Sequence, residues 1–452
     1  MTQADFDAIV IGGGPAGAST AILLAEAGWS VALIEKQRFP RRKVCGECIA
    51  ASNLQLFDAL GVGCEFDAMA GPALRRVALM QGRHALVADL PACTQGRHRW
   101  GRALGRFQLD ALLMERARRA GATIFQPWSV RSCDGSAGAW RCTIAAVESG
   151  EVRTLQAPVA IAAHGSWERF ASKRTLTRRQ AQGQSQGEAQ ERTQGQARDD
   201  GAPRRPSDLF AFKADFIGSA LEDGLLPVLS FAGGYGGMVR ADRGVTTVAG
   251  CIRRDALEAI RNMRAGRSAG EAFEAHVKKQ CRGVDTALAE AKRDDAWLAV
   301  GPIRPGIRIG RAVDEPFLVG NAAGEAHPIV GEGISMAMQS AWLLCERLIA
   351  RSDALLHGDE SAGRLAVQRG YTRDWHHHFA ARIRLAACFA HLAMRPSLSR
   401  GLLPLLKLRP ALLADAARAS GKVRCAANAD TIAAIGPLRS HAPHGELLHD
   451  DA

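Results

Sequence analysis

Three glycines spaced as Gly12-x-Gly14-x-x-Gly17 follow the apolar run Ala8-Ile9-Val10-Ile11 and open an Ala- and Leu-rich stretch reaching Ala27. That spacing is suited to holding a pyrophosphate. Gly12 permits a tight turn, Gly14 lets the backbone approach the phosphates, and Gly17 lets helix and strand pack closely. The helix starting near Pro15 and Ala16 would turn free N–H groups and its positive dipole end toward the same anion. Glu35 ends a second strand-like run, residues 30–34, about twenty residues on, where a carboxylate accepts hydrogen bonds from ribose hydroxyls. The motif does not choose between NAD and FAD.

Other residues could do chemistry. Cys45 and Cys48 form C-x-x-C, a spacing that can depress a thiol pKa and make a redox pair, or that packs two small residues beneath a ligand. A zinc site would need a second ligand pair, and none is evident. His376-His377-His378 point in different directions on a helix and do not converge on one ion, so no metal site is expected. His327, just before Pro328, is a candidate proton donor or a packing residue. Residues 316–342, PFLVGNAAGEAHPIVGEGISMAMQSAW, read as a short strand, a small-residue loop and a Gly331-Glu332-Gly333 turn that opens a helix at Ile334.

The elements that must position these groups suit a chain of 452 residues, long enough for one large or two intimately joined domains. Hydrophobic content of 47% with 23% charged residues is that of a globular enzyme. The net charge of +12 fits a basic surface or anionic ligands, and no nucleic-acid module accompanies it. Eleven scattered cysteines and a strand pattern starting at Phe6 lead to the expectation of a cytoplasmic protein without a signal peptide. Residues 177–206 are almost free of large apolar side chains and read as a disordered insertion. Short apolar and alternating runs from Leu209 to Ile252 suit an antiparallel sheet. There Phe210, Phe212, Phe216, Phe231 and Tyr235 are either pocket walls or core, and Gly233–Gly237 is a hairpin or active-site turn. GLLPLLKLRPALL, 401–413, either caps the active site, the favoured reading, or lies on a membrane surface.

With these motifs in order, the chain resembles the flavoprotein hydroxylase superfamily of the p-hydroxybenzoate hydroxylase fold, in the branch shared with geranylgeranyl reductases and flavin-dependent halogenases. The resemblance covers about residues 5–350. It rests on GGGPAG with Glu35, FPRRKVCGE at 39–47, GRFQLDALLMERARRAGA at 105–122, IAAHGSWER at 161–169 and the 316–342 block. It implies an α/β fold in which a Rossmann-like FAD-binding domain is interleaved with an antiparallel β-sheet substrate domain, followed by a C-terminal helical region. The expected boundaries are 1–176 and 295–350 for the FAD domain, with part of 65–105 in the substrate domain. Residues 207–294 would form the substrate domain, 351–439 the helical region and 440–452 a flexible tail.

The resemblance also implies residue roles. Gly12, Gly14, Pro15, Ala16, Gly17, Glu35, Lys36 and Val130 would hold the ADP half of FAD, with Arg42 and Arg106 near its phosphates. Gly320 and Asn321 fall on a Gly-Asp pair that contacts the pyrophosphate and ribityl chain. His327, Gly331, Gly333 and Ile334 would flank the flavin ring, and Cys45, His327 and Tyr235 are the candidate catalytic residues. Two positions depart from the pattern. Asn321 replaces the aspartate, and His164-Gly165-Ser166 replaces an Asp-Gly motif tied to both FAD and NAD(P)H.

The favoured activity is an NAD(P)H-using monooxygenase hydroxylating a hydrophobic, phenolic or quinone-like small molecule, with peripheral membrane contact left open. The alternatives are saturation of isoprenoid double bonds and a flavin-binding regulator without turnover. Halogenation is the least favoured, because the Trp-x-Trp-x-Ile-Pro signature is absent and GGYGGMVRAD stands at 233–242 instead.

Overall fold

The computed structural model describes residues 5–426 except 95, 137, 167–203, 264–265, 311–314, 357–359 and 424. The insertion expected at 177–206 lies almost wholly outside the described residues, and the tail from 440 entirely so.

The apolar run at the front forms the strand Ala8–Ile11, buried at every position, with both faces of its sheet covered. It pairs in parallel with Val31–Ile34 on one side and Val159–Ala162 on the other. Thr123–Phe125 and Phe317–Leu318 complete a five-stranded parallel sheet. The helix Pro15–Glu26 begins directly after Gly14, with proline in its first turn, where the missing N–H costs nothing. A three-stranded meander, Trp128–Ser136, Ala139–Ala146 and Val152–Ala157, packs beside this sheet.

The second lobe is an eight-stranded sheet. Its centre is antiparallel: Leu209–Ile217, Thr246–Arg253, Gly234–Arg240 and Leu225–Phe231 lie side by side. Arg76–Gln81 and His84–Asp89, from far earlier in the chain, extend it, the former in parallel with Leu225–Phe231. The chain therefore crosses between the lobes repeatedly, which interleaves them. Gly233, at φ 76°, makes the turn between Leu225–Phe231 and Gly234–Arg240, so the glycine cluster is a hairpin. Phe212 stacks on Phe273, and Phe231 meets the same ring edge-on. Most of the aromatic strand positions are therefore core. Beyond the long helix Gly333–Ile349, the chain is helical: Glu360–Trp375, Ala381–Ala393, Pro396–Leu408 and Ala411–Ala419.

Gly17 is the tightest point of the front motif, because a Cβ there would sit 1.8 Å from the Gly12 carbonyl oxygen. Gly17→Ala should cost about 3 kcal/mol in urea unfolding, as overpacking does. An unchanged midpoint would mean that helix and strand separate freely.

Candidate functional site

One cavity of about 1990 Å³ is lined by residues of both lobes. Single-ligand pockets reach roughly 1,000 Å³, so this one has room for a dinucleotide and a second molecule. All the site residues expected from the sequence line it except Gly17, which packs beneath Gly12.

At one end lie Gly12, Gly14, Pro15, Ala16, Glu35, Lys36 and Val130. A Cβ on Gly14 would meet nothing nearer than Arg106 Nη2 at 3.7 Å, so the glycine face is open to the cavity. No side chain caps the helix Pro15–Glu26, and no acidic residue stands in its first turn. Its N-terminal dipole is thus left for an anion. The Glu35 carboxylate is buried and oriented by the N–H groups of Gly13 and Gln37, each at 2.9 Å. Each oxygen keeps further accepting capacity.

Cations gather here. Arg106 is buried and held bidentately by Asp110 at 2.6 and 2.7 Å. Arg41 lies 3.6 Å from Glu35 and 3.5 Å from Asp110. Loss of water around Lys43, together with the nearby Arg106 and Arg41, lowers its ammonium to about 8. Arg42, chosen from sequence together with Arg106, lines the cavity but spends its guanidinium on Asp215, at 2.8 Å, and Asp295. Arg41 and Lys43 were not singled out from the sequence. All three residues of the run Arg41-Arg42-Lys43 line the cavity.

At the cavity's middle, the Tyr235 hydroxyl lies 3.0 Å from His327 Nδ1. Burial raises the tyrosine well above its ordinary range, with Cys251 adding to the effect. Burial, reinforced by His391, lowers His327 to about 4, so both groups are neutral at pH 7. The two departures from the family pattern meet: Asn321 Nδ2 donates to Ser166 Oγ at 3.1 Å and to Glu325 Oε1 at 3.2 Å. Gly331 takes a left-handed conformation at φ 63° before the uncapped helix Gly333–Ile349. Cys45 accepts the Glu47 N–H at 3.4 Å, whereas burial pushes the Cys48 thiol up, opposite to a thiol poised for redox exchange.

A buried polar network escaped the sequence reading. Glu47 adopts φ 57°, uncommon for a residue with a side chain, and is fully buried. Its Oε1 takes the Arg106 N–H at 2.9 Å and the Lys213 ammonium, while Oε2 takes the Thr247 hydroxyl at 2.7 Å. Asp215 stands 3.3 Å from Lys213, and its Oδ1, 2.7 Å from Thr247 Oγ1, competes with Glu47 for that one hydroxyl proton. Burial opposes the charge on Lys213, but the two carboxylates outweigh it and raise its pKa. Only the alternation of Lys213 and Asp215 in an otherwise apolar strand hinted at this.

The far end is apolar. Val77, Leu226, Met238, Val300 and Leu392 line it, and Leu402, Leu406 and Leu412 of the last helices close over it. The chain then returns to the FAD lobe. Lys422 donates to Val330 O at 2.9 Å and Glu332 at 3.1 Å, Ser52 Oγ donates to Gly421 O at 3.3 Å, and Ala426 N donates to Gln339 at 3.2 Å.

A family model described as FAD binding domain matches residues 5–367. The chain belongs to that family. Tryptophan 2-halogenase of Chondromyces crocatus is 30% identical over 118 residues, 26% of this chain and 22% of that protein. Conditioned medium factor receptor 1 of Dictyostelium discoideum is 29% identical over 152 residues, 32% of this chain and 29% of the other. Each match thus spans less than a third of the relative's length. Among solved structures, the flavin-dependent brominase Bmp2 superposes with a TM-score of 0.68 at 16% identity, covering 93% of this chain and 94% of that one. The myxobacterial chondrochloren halogenase CndH gives 0.67 at 19% identity over 95% of both chains. PqsL, a probable FAD-dependent monooxygenase from Pseudomonas aeruginosa, gives 0.63 at 15% identity, covering 88% and 99%. Halogenases, the branch least favoured from sequence, are thus prominent among the relatives. Family and fold make this chain an FAD-binding protein.

The site fits FAD on its own terms. It has two uncapped helix starts, an open glycine turn, an oriented carboxylate and a group of buried cations that a diphosphate would neutralise.

Glu47→Gln should cost about 1–3 kcal/mol in urea unfolding, because it leaves the buried Lys213 ammonium with Asp215 as its remaining carboxylate. Adding Lys213→Met should recover most of that loss. If the single variant is as stable as the parent, the carboxylate is not the ionised partner.

His327 sets a second expectation. The unfolded chain binds a proton below about pH 6.5, whereas the folded site resists one until about 4. This residue's share of stability is therefore full above pH 6.5 and declines as pH falls toward 4. Its ring resonances should show no midpoint above about pH 5. A midpoint near 6.5 would show a solvated imidazole.

Proposed function

We propose that the protein is a monooxygenase that takes electrons from NAD(P)H and places one oxygen atom of O₂ on a hydrophobic, phenolic or quinone-like small molecule. The observation that carries this reading is the large cavity, with a dinucleotide cradle at one end and an apolar chamber at the other. Bound FAD supplies the two-electron store and the activation of dioxygen. The chain's own part is to hold that cofactor, exclude water and manage one proton.

Gly12, Gly14, Pro15, Ala16, Glu35, Lys36 and Val130 hold the ADP half, with Gly17 shaping the turn from beneath. Arg106, with Arg42 in its ion-paired position, serves the phosphates. Gly320, Asn321, Gly331, Gly333 and Ile334 hold the remainder. The apolar wall of the chamber keeps water from competing for the reactive oxygen. Tyr235 and His327 form a neutral pair at its middle. A hydroxyl that donates to Nδ1 leaves the imidazole proton on Nε2, so the pair can pass a proton to or from a phenolic oxygen. Cys45 contributes a polarisable wall beside Arg106.

Halogenation is the second reading, favoured by the brominase and halogenases among the relatives. It shares the oxygen requirement and differs in product. Reduced, FAD-loaded protein should consume O₂ when a phenolic substrate is present and yield a product carrying one labelled atom from isotopic dioxygen. A brominated product in the presence of bromide would move the assignment to halogenation. Turnover of a prenyl substrate without O₂ would overturn both readings in favour of double-bond reduction. His327→Gln should lower the monooxygenase rate about 10²-fold, the ordinary worth of a positioned proton-transfer group.

A further inference from the structure

Ten large apolar side chains stand exposed among the described residues, and six of them are spread along the rest of the chain. The other four, Leu398, Leu402, Leu405 and Leu408, share the helix Pro396–Leu408 at 57, 38, 50 and 81% exposure. Their spacings of four, three and three residues put them on one face. A clustered patch of this kind marks an interaction site, whereas single exposed leucines need no explanation.

The surrounding charge selects the partner. From residue 395 to 418 there are five basic side chains, Arg395, Arg400, Lys407, Arg409 and Arg418, against the single acid Asp415. Asp415 already pairs with Arg418 at 2.6 Å. Arg395, Arg400, Lys407 and Arg409 are exposed beside the leucines. The helix is amphipathic in the sense that suits an interface rather than a span, and no helix among the described residues is long and apolar enough to cross a membrane. Continuity with the cavity is the second argument. Leu402 belongs to the exposed face and also lines the apolar chamber, as does Leu406 one turn on.

We propose that the Leu398–Leu402–Leu405–Leu408 face is a docking surface for an anionic phospholipid bilayer. The helix lies in the plane of the interface, its leucines enter the acyl boundary, and the flanking basic heads stay at phosphate level. This proposal stands apart from the assignment of the chemistry.

The test is co-sedimentation of the full chain with vesicles of phosphatidylcholine mixed with phosphatidylglycerol, and with phosphatidylcholine alone. The mixed vesicles should bind roughly tenfold more protein, with the difference lost at high salt. Leu405→Glu/Leu408→Glu should reduce binding to mixed vesicles roughly tenfold or more. Neither residue lines the cavity, so the bound-flavin spectrum should be unchanged and serves as the check on folding. Lys407→Gln/Arg409→Gln should weaken binding to mixed vesicles several-fold and leave phosphatidylcholine unaffected. Protein that stays in the supernatant with both vesicles would overturn the proposal, as would a double glutamate variant that sediments like the parent. A dimer in analytical ultracentrifugation that this variant dissociates would assign the face to a second copy of the chain and overturn it equally.

Discussion

A buried carboxylate, Glu47, ties the two lobes together. Glu47 takes a backbone N–H from the start of the helix Arg106–Arg119 in the FAD lobe, and an ammonium and a hydroxyl from neighbouring strands of the sheet lobe. A buried ion whose ligands come from both sides fixes their separation, because moving either lobe strands a charge away from water. The left-handed backbone at Glu47 is a cost the surroundings must offset. The same short segment carries Arg41, Arg42, Lys43 and Cys45, so the lock on Glu47 also holds these cations and this sulfur at the cavity wall.

From that fixed seam the division of labour follows. The parallel sheet brings two helix starts and a carboxylate to one end, all polar and all aimed at an anionic dinucleotide. The antiparallel sheet contributes a wall in which Gly236 and Gly237 allow close strand packing while Met238 and Val300 supply apolar contact. Tyr235 and His327 sit where these regimes meet. Their burial, not a neighbouring charge, is the leading cause that keeps the pair neutral. The pair is thus a product of water exclusion, and the helices that close the chamber belong to its chemistry as much as the side chains do.

The front of the fold was legible because its physics is local. Gly12, Gly14, Gly17 and Glu35 declare a turn, a close approach and an acceptor at fixed offsets, and the hairpin at Gly233 is written in consecutive glycines. Glu47 was not legible in that way. Its partners Arg106, Lys213 and Thr247 lie 59, 166 and 200 residues away, and nothing in sequence spacing announces a contact of that range. The partners of Arg41, Arg42 and Lys43 were hidden for a related reason: adjacent residues of one charge differ in the long-range acids they meet, Asp110 for Arg41 and Asp215 for Arg42. The meeting of Asn321 with Ser166 was likewise hidden, although each departure was visible alone.

The last two long helices are fastened at both ends. On one side Ser230 Oγ holds the Ala393 carbonyl at 2.8 Å and Gln81 holds Pro396 O at 3.1 Å; on the other, Gly421 and Lys422 are tied to the FAD lobe. A span pinned twice does not swing open like a flap. It yields by bowing, and its compliant point is Pro404, which lies inside the helix Pro396–Leu408 and has no N–H to bond the turn before it. Any displacement of Leu402 and Leu406 from the cavity wall is therefore a bending of one helix rather than a detachment of its ends.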